Sequence, residues 1–143
     1  MHKGTLSYLI FNSGLGLYGI PAKSAAEVVH LTQITRIPGA PRHLLGVFAH
    51  RGEVVPLIDL SSLIGTPAES ASRAVLLRLE VGSVAFVAQR VAGVIPLVDA
   101  EKSSGGQGIW AHINQAVLSE YGEVSTLEIQ GLYGFLKHLP GCT

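Results

Sequence analysis

The stretch GVFAHRGEVVPLIDL, from Gly46 to Leu60, decides the fold. It contains two short apolar runs that are separated by Arg51 and Gly52. Glycine readily takes the positive φ of a tight hairpin turn, and β-branched residues favour strands. We therefore predict a β-hairpin with strands Gly46 to His50 and Val54 to Asp59, in which Arg51 projects from the turn.

Similar short apolar runs, separated by glycine, proline, serine or charged residues, continue along the chain and predict a mostly β protein. The other predicted strands are Leu6 to Asn12, Gly16 to Pro21, Ala26 to Leu31, Ala74 to Leu79, Ser83 to Gln89, Gly93 to Val98, Ala116 to Ser119 and Val124 to Ile129. Helical turns are predicted at Ala40 to Leu45, at Leu60 to Ile64 with Asp59 as N-cap, and at Leu132 to His138. Two Gly- and Ser-containing stretches, Gly65 to Ser72 and Glu101 to Gly108, are predicted connectors.

The composition indicates one folded domain and excludes several functions. The chain has 143 residues, of which 48% are hydrophobic and 14% are charged, so it has enough apolar surface to form a core. Ten basic residues balance ten acidic ones without a run of one sign, which is unlike a binder of nucleic acid or of a membrane surface. A protein or small-molecule partner is favoured.

The sequence also lacks the usual signs of an extracellular, membrane-spanning or metal-dependent protein. Cys142 is the single cysteine, so we expect no intrachain disulfide and a cytoplasmic location. We expect neither a signal peptide nor a membrane span, because no apolar run is long enough. The six histidines show no metal-ligand spacing, and no nucleophile motif appears, so we predict no metal, no cofactor and no catalytic residue.

A weak internal repeat relates the quoted hairpin to a second hairpin that begins at Ala116. The aligned pairs are Val47 with Val117, Gly52 with Gly122, Glu53 with Glu123 and Val54 with Val124, followed, after a slip of one residue, by Asp59 with Glu128. This pattern predicts two similar β-subdomains, residues 5–66 and 72–134, within one domain. A simpler explanation remains open, because any two hairpins with a Gly-Glu turn look alike.

The motifs resemble those of one known family, the CheW-like domains. Arg51, Gly52, Pro56, Asp59 and Leu60 match that family's Leu-Arg-Gly turn and the strand that ends in Pro-x-x-Asp-Leu. The opening hairpin (YLIFNSGLGLYGIP), the strand and loop AEVVHLTQITRIPGAP and the paired strands RAVLLRLEVGSVAFVAQRVAGVIPL follow in the family's order. The resemblance covers about Leu6 to Tyr133.

The resemblance implies an all-β fold of two intertwined five-stranded SH3-like barrels with a few short helices. It also implies a non-enzymatic cytoplasmic adaptor that couples the cytoplasmic tip of chemoreceptors to the regulatory domain of a CheA-type histidine kinase. Receptor contact is implied at Arg51, together with His50, Gly52 and Glu27. The kinase contacts implied by the resemblance are Ala25, Val28 and Gly46.

Three positions depart from the family pattern and leave an alternative open. The family's Asn-Leu before the arginine is Ala49-His50 here, an acidic residue is replaced at Gln89, and a β-branched one at Ala25. The chain is therefore also consistent with a divergent paralogue that has lost kinase binding and docks another pathway-specific protein. A small-ligand sensor or enzyme that uses the groove between the halves is the alternative from a different class.

His50 is the histidine nearest to the predicted receptor contact, and histidine titrates near neutral pH. As a hypothesis, protonation of His50 weakens receptor contact.

Overall fold

The structure is a computed structural model that describes residues 5–14, 16–40, 43–61, 72–79, 82–98 and 113–128. These residues form ten strands and one three-residue 3₁₀ helix, Ala22–Ser24. The strands are β1 (Thr5–Ser13), β2 (Gly16–Pro21), β3 (Ala25–His30), β4 (Leu44–His50), β5 (Glu53–Ile58), β6 (Arg73–Leu79), β7 (Gly82–Val87), β8 (Arg90–Val98), β9 (Ile113–Ser119) and β10 (Gly122–Leu127).

The strands build two five-stranded sheets, and each sheet combines strands from both halves of the chain. The first sheet has the order β8-β1-β2-β10-β9, and the second has the order β3-β6-β7-β5-β4. Neighbours are antiparallel except for β2 with β10 and β5 with β7, which are parallel. The predicted all-β fold of two intertwined five-stranded SH3-like units is confirmed.

The repeat is visible in this topology. Strands β1 to β5 correspond in order to β6 to β10. When each strand of the first sheet is replaced by its counterpart, the strand order of the second sheet results. The two sets of strands fall within the predicted ranges 5–66 and 72–134, while neither sheet is confined to one range. The subdomain boundaries themselves stay a prediction.

The alignment of the two repeat hairpins needs a correction at the turn. Val55 pairs with Phe48 and is buried, as Val124 pairs with Val117 and is buried, whereas Val54 is 73% exposed. Val55, not Val54, is therefore the equivalent of Val124. The difference in residue number between these two valines is the same as that between Asp59 and Glu128. No slip is needed, because the two turn glycines occupy different positions: Gly52 lies inside its turn and Gly122 directly after its own.

All ten predicted strands are present, whereas the three predicted helical turns have different outcomes. The turn predicted at Ala40 to Leu45 is wrong at its carboxyl end, because Leu44 is buried in the core and pairs with Ile58 as the start of β4. A helical turn begins at Leu60 and Ser61, as predicted, and residues 62–64 lie outside the described residues. The turn predicted at Leu132 to His138 and most of both connectors also lie outside them.

Within the described residues, the core consists of three clusters of apolar side chains. One lies within each sheet, around Ile10 and Val124 in the first and around Leu57 and Leu76 in the second. The third contains residues of both sheets, including Phe11, Tyr18, Ile20, Ile58, Leu77 and Phe86. Alternate residues of β1, β2, β6 and β7 contribute to different clusters, so both faces of these central strands are buried.

Close backbone packing at Gly46 joins β4 to the segment that follows β3. Thr35 and Val47 exchange two backbone hydrogen bonds, with N–O distances of 2.8 and 2.9 Å. A Cβ at Gly46 would lie 2.3 Å from the carbonyl oxygen of Thr35 and 2.9 Å from Cγ2 of Ile34. Glycine is therefore required at this position for packing.

We expect Gly46→Ala to lower the free energy of unfolding by about 2–3 kcal/mol, because the new methyl group forces the backbone around Thr35 apart. Chemical denaturation followed by fluorescence measures this change. Gly39→Ala is the matched control, since nothing lies within 4 Å of its Cβ position and only its φ of 77° opposes the change, at a cost of about 1 kcal/mol. Equal losses in both variants would contradict the packing role of Gly46.

Candidate functional site

The β4–β5 turn presents Arg51 in an unusual backbone conformation. His50 pairs with Glu53, which leaves Arg51 and Gly52 as a two-residue loop with φ values of 50° and 82°. Two positive φ values are typical of a type I′ turn, whose twist matches the right-handed twist of the two strands of a hairpin. Among the described residues, Arg51 is the only non-glycine residue with positive φ, a conformation that is uncommon for residues other than glycine and asparagine.

Glu27 of β3 brings the predicted receptor-binding residues together. Its Oε1 atom lies 2.9 Å from Nε2 of His50 and 3.5 Å from Nη1 of Arg51. The side chain of Arg51 is 67% exposed, while those of His50 and Glu27 are 21% and 28% exposed. We call these three residues the Glu27 cluster. It leaves most of the Arg51 guanidinium open to a partner.

The electrostatics of the cluster keep Glu27 ionised. Its pKa is lowered, first by the hydrogen bond with His50 and then by the positive charge of Arg51, although partial desolvation acts in the opposite direction. Arg78 of β6 also lowers this pKa through its charge. Sequence reasoning did not find Arg78, because only the pairing of β3 with β6 brings it near Glu27.

Asp59 fixes the opposite end of the same hairpin. It is fully buried, and its Oδ1 atom accepts hydrogen bonds from the Ser61 backbone N–H at 3.1 Å, the Ser61 hydroxyl at 2.6 Å and the Ser13 hydroxyl at 3.3 Å. Its backbone N–H donates to the carbonyl of His43 at 2.8 Å. The predicted capping role is present. Asp59 additionally joins the end of β5 to the end of β1.

Residues near Asp59 have perturbed proton affinities. Burial raises the pKa of Tyr18, and the charge of Asp59 raises it further. Burial also lowers the pKa of His43, whose Nε2 atom has no hydrogen-bond partner among the described residues. Tyr18 lies in the core and His43 is partly buried, so burial is the main cause of both pKa shifts.

The residues predicted for kinase binding occupy different environments. Val28 is 41% exposed on β3, next to Glu27. Gly46 is buried against Thr35 and has a packing role, so a contribution to kinase contact would be indirect. Ala25 begins β3, where it pairs with Leu77. The assignment of these three residues to kinase contact stays a prediction.

Gln89, a departure from the family pattern, has a structural partner. Its side-chain oxygen accepts a hydrogen bond from the backbone N–H of Gly14 at 2.6 Å, and its backbone N–H donates to the carbonyl of Asn12 at 2.9 Å. Gln89 therefore supports the β1–β2 turn from the start of β8. An acidic side chain would provide the same acceptor, so this replacement leaves the turn intact.

The described part of the chain offers no group of three or more His, Cys, Asp or Glu residues that could hold a metal ion. Within the same residues, no helix is long and apolar enough to cross a membrane. What the site offers chemically is one exposed guanidinium with an adjacent carboxylate and imidazole. This combination suits recognition of a partner's carboxylate.

Comparison with known proteins identifies the family to which this fold belongs. The family model of the CheW-like domain matches residues 7–129, which include every strand from β2 to β10 and most of β1. The chain belongs to the CheW-like family. Its fold is thus that of a family of chemotaxis scaffolds.

Individual CheW proteins are similar over parts of their length. The chemotaxis protein CheW of Helicobacter pylori is 38% identical over 72 residues, which cover 50% of this chain and 44% of that protein. The probable chemotaxis protein CheW of Rhizobium etli is 33% identical over 101 residues, which cover 70% of this chain and 60% of that protein. The matched regions therefore span about half the length of these relatives.

A solved CheW structure has the same fold. The crystal structure of the scaffolding protein TtCheW from Thermoanaerobacter tengcongensis matches with a TM-score of 0.70 at 20% sequence identity. The match covers 87% of this chain and 89% of that one. Architecture is thus shared even where few residues are identical.

We expect Asp59→Ala to lower the free energy of unfolding by about 1–3 kcal/mol, because the buried Ser61 N–H and the Ser13 hydroxyl lose their acceptor. Asp59→Asn keeps an oxygen at this place and should cost less. Urea denaturation of both variants measures the difference. If Asp59→Asn were the more destabilising of the two, the negative charge rather than the acceptor would be the stabilising feature.

The strain at Arg51 can be tested separately from its contacts. Arg51→Ala and Arg51→Asn both remove the contact with Glu27, but asparagine tolerates positive φ, and Asn-Gly is the preferred pair for this turn. We expect Arg51→Asn to be more stable than Arg51→Ala by about 1 kcal/mol in thermal or chemical unfolding. Equal stabilities would show that the turn relaxes and that Arg51 carries no strain.

Proposed function

We propose that this protein is a non-enzymatic adaptor that couples chemoreceptors to a CheA-type histidine kinase in the cytoplasm. Membership of the CheW-like family supports this role. The observation that carries the proposal is the conformation of Arg51, which keeps a strained, positive φ at an exposed turn where glycine or asparagine would be more stable. A costly residue at an exposed position favours a binding role.

The Glu27 cluster is the receptor-contact surface in this proposal. Arg51 supplies the exposed cation, Gly52 allows the turn, and Glu27 contacts both the guanidinium and the imidazole of His50. A guanidinium can form two parallel hydrogen bonds with a carboxylate, which gives direction as well as affinity. An acidic side chain on the receptor tip is thus the favoured complement.

The kinase-contact surface in this proposal lies on β3, next to the cluster. Val28 provides exposed apolar area there that a partner can cover. Val28 directly follows Glu27 in β3, so the two side chains point to opposite faces of the strand. This arrangement would allow the receptor and the kinase to be held on different faces of β3.

A divergent paralogue that has lost kinase binding is the second candidate. Ala49 favours it, because this exposed residue next to the turn carries only a methyl group where the family pattern has a larger polar side chain. Titration of the full chain with the regulatory domain of a CheA-type kinase separates the two candidates. Absence of binding at high micromolar concentration would favour the paralogue.

We expect Arg51→Ala and Arg51→Asp to weaken binding of a chemoreceptor cytoplasmic fragment by about ten-fold or more, with the larger loss for aspartate because it repels an acidic partner. Isothermal titration calorimetry measures the affinity, and circular dichroism checks the fold. Arg90→Ala is the control, since Arg90 is an exposed arginine of the other sheet. Unchanged affinity in both Arg51 variants would remove Arg51 from the receptor contact.

A further inference from the structure

Two potential cations share a single oxygen atom in the Glu27 cluster. His50 Nε2 and Arg51 Nη1 both approach Oε1 of Glu27, at 2.9 and 3.5 Å respectively. The shorter contact belongs to histidine, the residue type that gains or loses its charge near neutral pH. The longer contact belongs to arginine, which stays charged throughout this range.

The surroundings of His50 leave Glu27 as its closest charged partner. Glu53 lies opposite His50 in the β4–β5 pairing, Arg51 follows it in the turn, and Arg78 of β6 acts on Glu27 from the other side. The ring of Phe48 meets the imidazole edge-on, with a centroid distance of 6.4 Å. Since the side chain of His50 is 21% exposed, protons from solvent can reach it.

The charge state of His50 decides how strongly Glu27 holds Arg51. With neutral His50, the positive charge of Arg51 balances the negative charge of Glu27. With protonated His50, the closer imidazolium neutralises Glu27, and the guanidinium is left as surplus positive charge. The lowered pKa of Glu27 means that the carboxylate stays ionised at neutral and mildly acidic pH.

We propose that His50 is a proton-controlled positioning residue: its protonation releases Arg51 from Glu27 and strengthens the binding of a partner's carboxylate. The inference rests on the proposed function of Arg51 as the receptor contact. The hypothesis drawn from sequence had the opposite sign, since there protonation of His50 weakens receptor contact. The sequence alone did not show that His50 and Arg51 compete for one carboxylate oxygen.

The release of Arg51 can be observed in the full chain without any partner. NMR titration from about pH 8 to about pH 5.5 spans the range in which histidine changes charge. We expect the Arg51 side-chain N–H signal and the Glu27 carboxyl carbon to shift with the same midpoint as the His50 ring. His50→Gln is the matched variant, because its side chain can still donate a hydrogen bond but carries no charge at any pH. In this variant the shift of Arg51 should disappear.

Binding supplies the second readout. For a chemoreceptor cytoplasmic fragment we expect an affinity about two- to five-fold higher at the acidic end in the wild-type protein, a size typical of partly exposed charges. Subtracting the pH dependence of the His50→Gln variant removes changes that arise from the receptor itself. A similar pH dependence in both proteins would overturn the proposal.

The two readouts separate this inference from the proposed function. An Arg51 signal that follows His50, without receptor binding at any pH, would support the release of Arg51 and contradict the receptor role. The opposite result has two parts: receptor binding depends on Arg51 but is equally strong at both pH values, and the Arg51 signal does not follow the His50 ring. This result would support the receptor role of Arg51 and contradict its release by protonation of His50. An Arg51 signal independent of His50 overturns the inference in every case.

Discussion

Burial of both faces of the central strands is the constraint on which the rest of the structure depends. Residues of β6 and β7 alternate between the core of the second sheet and the cluster shared by both sheets, and β1 and β2 do the same from the other side. A change of register by one residue would exchange the two sets of side chains, so each strand has a single acceptable position. The β4–β5 and β9–β10 hairpins are fixed in position as well, because β5 pairs with β7 and β10 pairs with β2.

The β4–β5 hairpin is held at both ends by polar groups of different character. At the inner end, buried Asp59 accepts hydrogen bonds from Ser61 and Ser13, and in such a dry setting an unpaired donor is costly. At the outer end, Glu27 contacts His50 and Arg51 in partly exposed surroundings, where each contact contributes little to stability. The inner end therefore maintains the fold, and the outer end is free to change its contacts.

The two repeats share an architecture but present different surfaces. By the registers of the two sheets, Arg51 is equivalent to Glu120, and Glu27 to Gly93. The second hairpin therefore carries an acidic residue where the first carries arginine, and Tyr121 lies over Gly93 with its hydroxyl 3.4 Å from the Cβ position. Packing constrains the buried positions of a repeat, whereas turn residues can diverge at little cost. The binding chemistry at the two ends can thus differ while the fold remains the same.

The sequence by itself determined the ten strands, the tight turn at Arg51 and Gly52, and the cap at Asp59, because each depends on residues close together in the chain. It also indicated the repeat, although it aligned Val54 where Val55 belongs. Only the tertiary structure decided that each sheet takes strands from both halves and that Glu27 meets His50 across 23 residues of sequence. These features depend on which strands pair and in which register, and that choice follows from burial of the whole core rather than from any local pattern.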